Sequence, residues 1–139
     1  MQRRPLDKLV LDSNVIISYA LKARFEEIVA LKVVHGIEIY TCTKQLAELE
    51  RSFIKLAHHL NSAPKHYLNL FRQLADLVEI DERFDRSPDA KDNYLFDLAY
   101  KVKSYYMVTG EKALLNMKQV NQTKIISISE LKELVKKLE

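Results

Sequence analysis

The sequence has 139 residues, of which 47% are hydrophobic and 29% are charged, and its formal net charge is +3. This length fits one domain with a real core, and the composition excludes a disordered chain. The net charge does not by itself indicate nucleic-acid binding, which requires a clustered basic patch, and the single cysteine, Cys42, excludes an internal disulfide and argues against structural zinc.

The N-terminal segment MQRRPLDK contains two arginines but no apolar stretch of the length found in signal peptides. No apolar run reaches the roughly 18 residues that a membrane-spanning helix needs. We therefore expect a cytoplasmic protein that forms a single domain over residues 1–139 and does not enter a membrane.

Short apolar runs rich in β-branched and aromatic residues predict five buried strands. In chain order these runs are Leu9–Leu11, Ile37–Tyr40, Leu77–Ile80, Tyr105–Val108 and Lys124–Ile126. Segments with helical period lie between them, and Pro64 is expected to separate two helices. Helices that alternate with strands indicate an α/β fold with three layers, in which helices cover both faces of a parallel sheet of four to five strands.

Two helical faces are visible in the periodicity. Their residues are Leu46, Leu49, Phe53, Ala57 and Leu60 for the first, and Tyr94, Leu95, Leu98, Ala99 and Val102 for the second. Only two glycines are present, Gly36 and Gly110, so neither GxGxxG nor GxxxxGK[ST] occurs. Nucleotide binding through a glycine-rich phosphate loop is therefore excluded.

Four acidic residues fall where ligands bind in parallel α/β sheets, beyond the carboxyl ends of the strands. Asp12 directly follows the first strand, and Glu111 follows the fourth strand after a Thr109-Gly110 turn. Glu48 lies in the first turns of the helix after the second strand, and Asp92 opens the helix before the fourth. We expect these carboxylates to converge.

Taken singly, each acid has a simpler interpretation, because Asp12 would cap a helix, Asp92 would favour a helix dipole, and Glu48 and Glu111 would be solvated. These simpler interpretations do not explain why four carboxylates would converge on one place. Two unit charges about 4 Å apart repel by on the order of 4 kcal/mol at an effective dielectric of 20, so a cation is needed. Mg²⁺ or Mn²⁺ held by carboxylates can activate water and stabilise charge on a phosphate, which predicts a phosphodiesterase site.

The stretch LVLDSNVIISYAL resembles the opening of PIN domains, whose first strand ends in Asp-x-Asn. The resemblance continues through QLAELERSF, SPDAKDNYLFDLAYKVKSYYMVTGEKALL and KIISISELKEL, so it covers nearly the whole chain. The ordered set of Asp-x-Asn, Lys-Asp-Asn and Val-Thr-Gly makes it specific. In particular, the chain is similar to the small prokaryotic, VapC-like PIN toxins of toxin–antitoxin pairs.

The resemblance implies a PIN-like fold and a metal-dependent endoribonuclease that hydrolyses RNA with a metal-activated water. It makes four residues the metal-binding and catalytic acids, with Asn14 and Thr109 as polar neighbours that orient them; the four are Asp12, Glu48, Asp92 and Glu111. The expected cofactor is Mg²⁺ or Mn²⁺, and the expected partners are an RNA substrate, a protein antitoxin and a second copy of the chain. For such a homodimer the sequence offers Phe25, Ile28 and Val29.

Four alternatives concern the function and the residues of the site. Glu111 departs from the Asp that most relatives carry after Thr-Gly, so a catalytically impaired PIN-like domain that binds RNA or protein is the alternative function. Glu50 competes with Glu48, and Asp97, about 140° from Asp92 on a helix, is either a metal ligand or the partner of Lys101 in a surface ion pair. A phosphatase of the haloacid-dehalogenase kind is disfavoured, because its chemistry needs a second Asp two residues after the first. Asn14 occupies that position in this sequence.

Overall fold

The computed structural model describes residues 5–138, so the first four residues of the segment MQRRPLDK lie outside the described residues. Within this range there are six strands and seven α-helices. The strands are β1 (Lys8–Leu11), β2 (Glu38–Thr41), β3 (Ala75–Leu77), β4 (Tyr106–Val108), β5 (Gln119–Val120) and β6 (Thr123–Ile126). The helices are α1 (Ser13–Leu21), α2 (Phe25–Val33), α3 (Thr43–Lys55), α4 (Pro64–Leu74), α5 (Asn93–Val102), α6 (Lys112–Leu115) and α7 (Ile128–Lys136).

The sheet has the strand order β3-β2-β1-β4-β6-β5, and every pairing is parallel except β5 with β6. The α/β prediction is confirmed, but the described sheet has six strands rather than four to five. The additional strand is β5, whose two residues are too few to produce an apolar run. The third strand is also earlier than predicted, at Ala75–Leu77 rather than Leu77–Ile80. It is an edge strand with two exposed residues, so its hydrophobic pattern is weak.

The core lies on both sides of the sheet, because successive side chains of a strand point to opposite faces. Leu9 and Leu11 of β1 pack in one cluster with residues of α1 to α4 and α7, including Phe53 and Phe71. Val10, between them, packs in a second cluster with residues of α5 and α6. The three-layer arrangement predicted from the alternation of helices and strands is therefore present.

The helices on the first face are close to the predicted ones. Pro64 begins α4, as expected. Helix α3 ends at Lys55, so Ala57 and Leu60 of the predicted face lie beyond it, in and after a short 3-10 helix. Phe25 contacts the ring of Tyr67 at a centroid distance of 5.5 Å and is buried in the core.

In the part of the chain that the structure describes, no helix is both long and apolar enough to cross a membrane.

The strand order reverses between β1 and β4, because the chain adds β2 and β3 on one side and β4 and β6 on the other. The carboxyl ends of β1 and β4 are neighbours, with Leu11 paired to Val108. The backbone N–H of Asp12 donates to the carbonyl of Val108 at 2.8 Å, which extends the pairing by one residue. This is the position at which parallel α/β sheets bind ligands.

Candidate active site

Asp12 is the residue between β1 and α1, and its side chain is 2% exposed. One oxygen, Oδ1, accepts from the backbone N–H of Asn14 at 3.3 Å, so Asp12 does cap its helix. The other, Oδ2, accepts from the hydroxyl of Thr109 at 2.7 Å. Thr109 Oγ1 in turn accepts from the backbone N–H of Glu111 at 3.1 Å. The Thr109 hydroxyl thus joins Asp12 to the segment that carries Glu111, which places both acids at the same edge of the sheet.

Asp92 and Glu111 each lie at the start of a helix, but neither side chain caps it. Asp92 ends the 3-10 helix Ala90–Asp92 and is 6% exposed. Its Oδ2 atom and the Oε2 atom of Glu111 are buried, and no N–H or hydroxyl group within residues 5–138 donates to either of them. A buried polar atom left without a partner costs roughly 1 to 3 kcal/mol, and more when it is charged. Helix capping therefore does not account for Asp92 or Glu111.

Burial and the charges of neighbouring acids raise the pKa values of Asp92 and Asp12. Burial, followed by the charge of Glu111, a hydrogen bond shared with the Glu111 carboxyl group and then the charge of Asp12, raises the pKa of Asp92 to about 7. Burial also raises the pKa of Asp12, against the hydrogen bonds from Thr109 and Asn14, and the charges of Glu111 and Glu48 raise it further. The site is thus a buried acidic cluster in which negative charge is disfavoured until a cation arrives.

Glu48 of α3 is half-buried, and its Oε1 atom accepts from the hydroxyl of Tyr94 at 2.9 Å. Glu50, the competing candidate, is exposed and lies beside Arg72 on a different surface. The structure therefore distinguishes two glutamates that the helical pattern alone did not separate. Tyr94 was assigned from the sequence only to an apolar helix face, and no local signal marks its hydroxyl as part of the site. Burial raises the pKa of Tyr94 above its ordinary value, so this hydroxyl stays protonated.

A family model described as PIN domain matches residues 8–113, which is most of the chain. The chain belongs to the PIN domain family. The matched residues include all four acids, whereas the segment KIISISELKEL lies beyond them. No curated protein sequence matches the chain.

Among solved structures, this PIN domain is similar to one described as the PIN domain endonuclease Utp24. The TM-score is 0.54 at 16% sequence identity, over 90% of this chain and 87% of the other. At this identity the similarity concerns the fold. It agrees with the PIN-like architecture predicted from the sequence.

Asp97 makes a contact in this PIN domain that neither of its two candidate roles included. Its Oδ1 atom accepts from the backbone N–H groups of Arg83 and Phe84, at 3.0 and 2.9 Å. Lys101, the predicted partner of Asp97, instead lies 3.9 Å from Asp81. Asp97 therefore attaches the loop of residues 81–89 to α5, and this contact would have to break for its Oδ1 to reach a metal.

Within residues 5–138, no three carboxylate, imidazole or thiolate side chains are close enough together to form a ready metal-binding group. The donor chemistry nevertheless suits Mg²⁺ or Mn²⁺, because the site offers carboxylate oxygens and no N–H or hydroxyl group of the described residues donates to two of them. Without a cation, Asp92 and Glu111 lie together by sharing a hydrogen bond, whereas repulsion disfavours a closer group of fully ionised acids. A cation would draw together carboxylates that the fold has already brought to one edge.

Proposed function

We propose that this PIN domain is a divalent-metal-dependent endoribonuclease that hydrolyses phosphodiester bonds of RNA. The observation that carries the proposal is a pair of buried oxygens, Asp92 Oδ2 and Glu111 Oε2, to which no N–H or hydroxyl group of the described residues donates, beside a third buried acid, Asp12. A fold tolerates such a cost at a functional site, where a ligand removes it. Membership of the PIN domain family supports nuclease chemistry at this site.

In this mechanism Asp12, Glu48, Asp92 and Glu111 would hold Mg²⁺ or Mn²⁺. When bound, the ion would supply an activated water as nucleophile and would stabilise the negative charge that develops on the phosphate. Thr109 holds one oxygen of Asp12. Asn14 orients the other through its backbone N–H, whereas its side chain is exposed.

Two exposed lysines adjoin the acids in sequence and would bind the RNA backbone. Lys91 precedes Asp92, and its pKa is raised by the charge of Asp89 first and then by those of Asp92 and Glu111. Lys112 follows Glu111 directly and is exposed at the start of α6. Cations beside an acidic metal site can hold the phosphates that the acids would otherwise repel.

The sequence resemblance to small prokaryotic PIN toxins supports a narrower proposal, that the protein is the toxin of a toxin–antitoxin pair and is bound by a protein antitoxin. Induced expression in a bacterial host should then arrest growth, whereas the Asp12→Asn variant at equal protein level should not. Growth arrest by both proteins, or by neither, would contradict the toxin role without affecting the nuclease proposal.

The nuclease proposal is tested with purified protein and single-stranded RNA. Cleavage should require Mg²⁺ or Mn²⁺ and should stop on addition of EDTA. Asp12→Asn should abolish it, because the amide matches the carboxylate in shape but is a poor ligand for a hard cation. Asn caps helices as well as Asp does, so a purely structural Asp12 would leave cleavage unchanged. Glu111→Asp introduces the residue that the resemblance to PIN domains implies at this position and should be tolerated or increase the rate.

The alternative is a PIN domain that binds RNA or protein without cutting. The observations that favour it are Glu111 itself and the absence, among the described residues, of three ligands already in contact. A Mn²⁺ titration combined with a cleavage assay separates the two functions. The binding-only domain would show weak Mn²⁺ affinity and no RNA cleavage even at high protein concentration.

A further inference from the structure

The hydroxyl of Tyr94 lies between two residues that come from different elements. It donates to Oε1 of Glu48 in α3 at 2.9 Å. It is also 2.8 Å from Oγ of Ser13 in α1. The tyrosine itself belongs to α5 and is 5% exposed, so all three helices meet at this hydroxyl.

The direction of these hydrogen bonds follows from the available protons. A tyrosine hydroxyl has one proton, and a carboxylate has none to donate. The Tyr94 proton therefore points to Glu48, and Ser13 must donate to the Tyr94 oxygen. Consecutive donors of this kind polarise one another, which strengthens the bond to the carboxylate.

We propose that Tyr94 is a positioning residue for Glu48, whose hydroxyl, held by Ser13, fixes one carboxylate oxygen and orients the other toward the Asp12 end of the acidic cluster. The proposal rests on the metal-binding role proposed for Glu48. Ser13 is the residue after Asp12, so the chain of hydroxyls connects Glu48 to the end of β1. Thr109 likewise connects Asp12 to Glu111, although through the backbone N–H of Glu111 rather than through its carboxylate. Each of the two links would hold one acid of the cluster in register with Asp12.

A purely structural role would give the hydroxyl a different effect. Tyr94 packs in the core cluster of α5 and α6, and its ring accounts for that packing. If the hydroxyl served stability alone, its removal would lower the melting temperature and leave the metal affinity of the folded protein unchanged. A group that orients a metal ligand changes the metal affinity, typically by about 10- to 100-fold when it is removed.

The experiment compares Tyr94→Phe with Tyr100→Phe in the full chain. Both substitutions remove one hydroxyl from α5, but Tyr100 is 71% exposed and serves as the matched control. Mn²⁺ affinity is measured by isothermal titration calorimetry on metal-free protein, and the melting temperature is measured without metal. Tyr94→Phe should weaken Mn²⁺ binding by about 10-fold or more. It should also raise the Mn²⁺ concentration for half-maximal cleavage while changing KM for RNA little. Tyr100→Phe should match the wild type.

Further variants make the outcome decisive. With Glu48→Gln as background, Tyr94→Phe should cause no additional loss of Mn²⁺ affinity, since the pathway through Glu48 is already removed. If Tyr94→Phe does not fold, Ser13→Ala, which keeps the tyrosine, should weaken Mn²⁺ binding in the same direction.

If the wild-type protein binds Mn²⁺ and cleaves RNA, and Tyr94→Phe binds Mn²⁺ with the same affinity, only the role proposed for Tyr94 is overturned. Equal affinity of Ser13→Ala, when that variant must be used, would overturn it as well. Wild-type protein that neither binds Mn²⁺ nor cleaves RNA would overturn the proposed function, and the positioning role with it.

Discussion

At the scale of single residues, Asp92 connects the site to stability. Burial first and the charge of Glu111 second raise its pKa from 3.8 to about 7. Because the folded pKa lies above the unfolded one, Asp92 favours the folded state fully below about pH 4, and this contribution is lost as the pH rises through about 7. Metal-free protein should therefore lose stability over this range. Asp92→Asn should remove the effect and raise the free energy of unfolding at pH 8 by on the order of 2 to 4 kcal/mol.

Urea denaturation of metal-free protein at pH 4 and pH 8 measures this difference. The gain from Asp92→Asn should be small at pH 4, where the wild-type side chain is largely protonated. Asp85→Asn, which changes an exposed carboxylate of the neighbouring loop, is the matched control and should have little effect at either pH. A lower stability of Asp92→Asn at pH 8 would show that the carboxylate is not under repulsion. In the wild type, Mg²⁺ should raise the melting temperature more at pH 8 than at pH 5, since protons compete for the ligands.

At the scale of elements, side chains of α5 attach the loop of residues 81–89 at several points. Near the end of the loop, the side-chain oxygen of Asn93 accepts from the backbone N–H of Ser87 at 3.0 Å. Asp97 accepts two other backbone N–H groups of the loop, from Arg83 and Phe84. Asp97→Ala should loosen the Arg83–Phe84 part of this loop and lower stability by about 1 to 3 kcal/mol, because hydrogen bonds to a charged acceptor are among the stronger ones. Trypsin should then cut faster after Arg83 or Arg86, both of which are exposed.

Asp81→Asn is the control for this prediction. Its ion pair with Lys101 is exposed on both sides, with side chains that are 61% and 48% accessible, so little stability should be lost. Tryptic cleavage of Asp81→Asn should match the wild type. Mn²⁺ affinity that fell strongly in Asp97→Ala would indicate that Asp97 belongs to the metal site instead.

At the scale of the whole molecule, the predicted homodimer needs a different contact surface from the one that the sequence offered. Phe25 and Ile28 are 5% and 1% exposed and belong to the core, which leaves Val29 half-buried. Among the described residues, three large apolar side chains of this region are exposed. They are Leu21 at the end of α1, Val33 at the end of α2, and Val34, which follows α2. If two copies pair through this region, these side chains would make the contact.

Light scattering at high micromolar concentration should therefore give twice the chain mass of 16.2 kDa. Val33→Asp combined with Val34→Asp should convert the dimer to a monomer without unfolding it, because both positions are more than 70% exposed. A wild-type protein that is monomeric under these conditions would contradict the homodimer.

The sequence by itself determined the α/β class, four of the strands closely, and the four acids at one edge of the sheet. These follow from local properties, since the period of apolar residues sets the type of element and the end of a strand sets where the next residue lies. The short strand β5 and the position of edge strand β3 were missed because neither produces a clear apolar pattern.

Only the tertiary structure placed Glu48 against Tyr94 and Glu50 beside Arg72, attached Asp97 to a loop, buried Phe25 and Ile28, and joined Ser13 to Tyr94. Each of these depends on which side chains from distant segments face one another after the helices have packed on the sheet. The local sequence around a residue shows the period of its apolar neighbours, but it does not show which side chains from other segments will contact that residue. In the sequence Tyr94 is one residue of an apolar helix face, and the role of its hydroxyl becomes visible only when α1 and α3 are placed beside it.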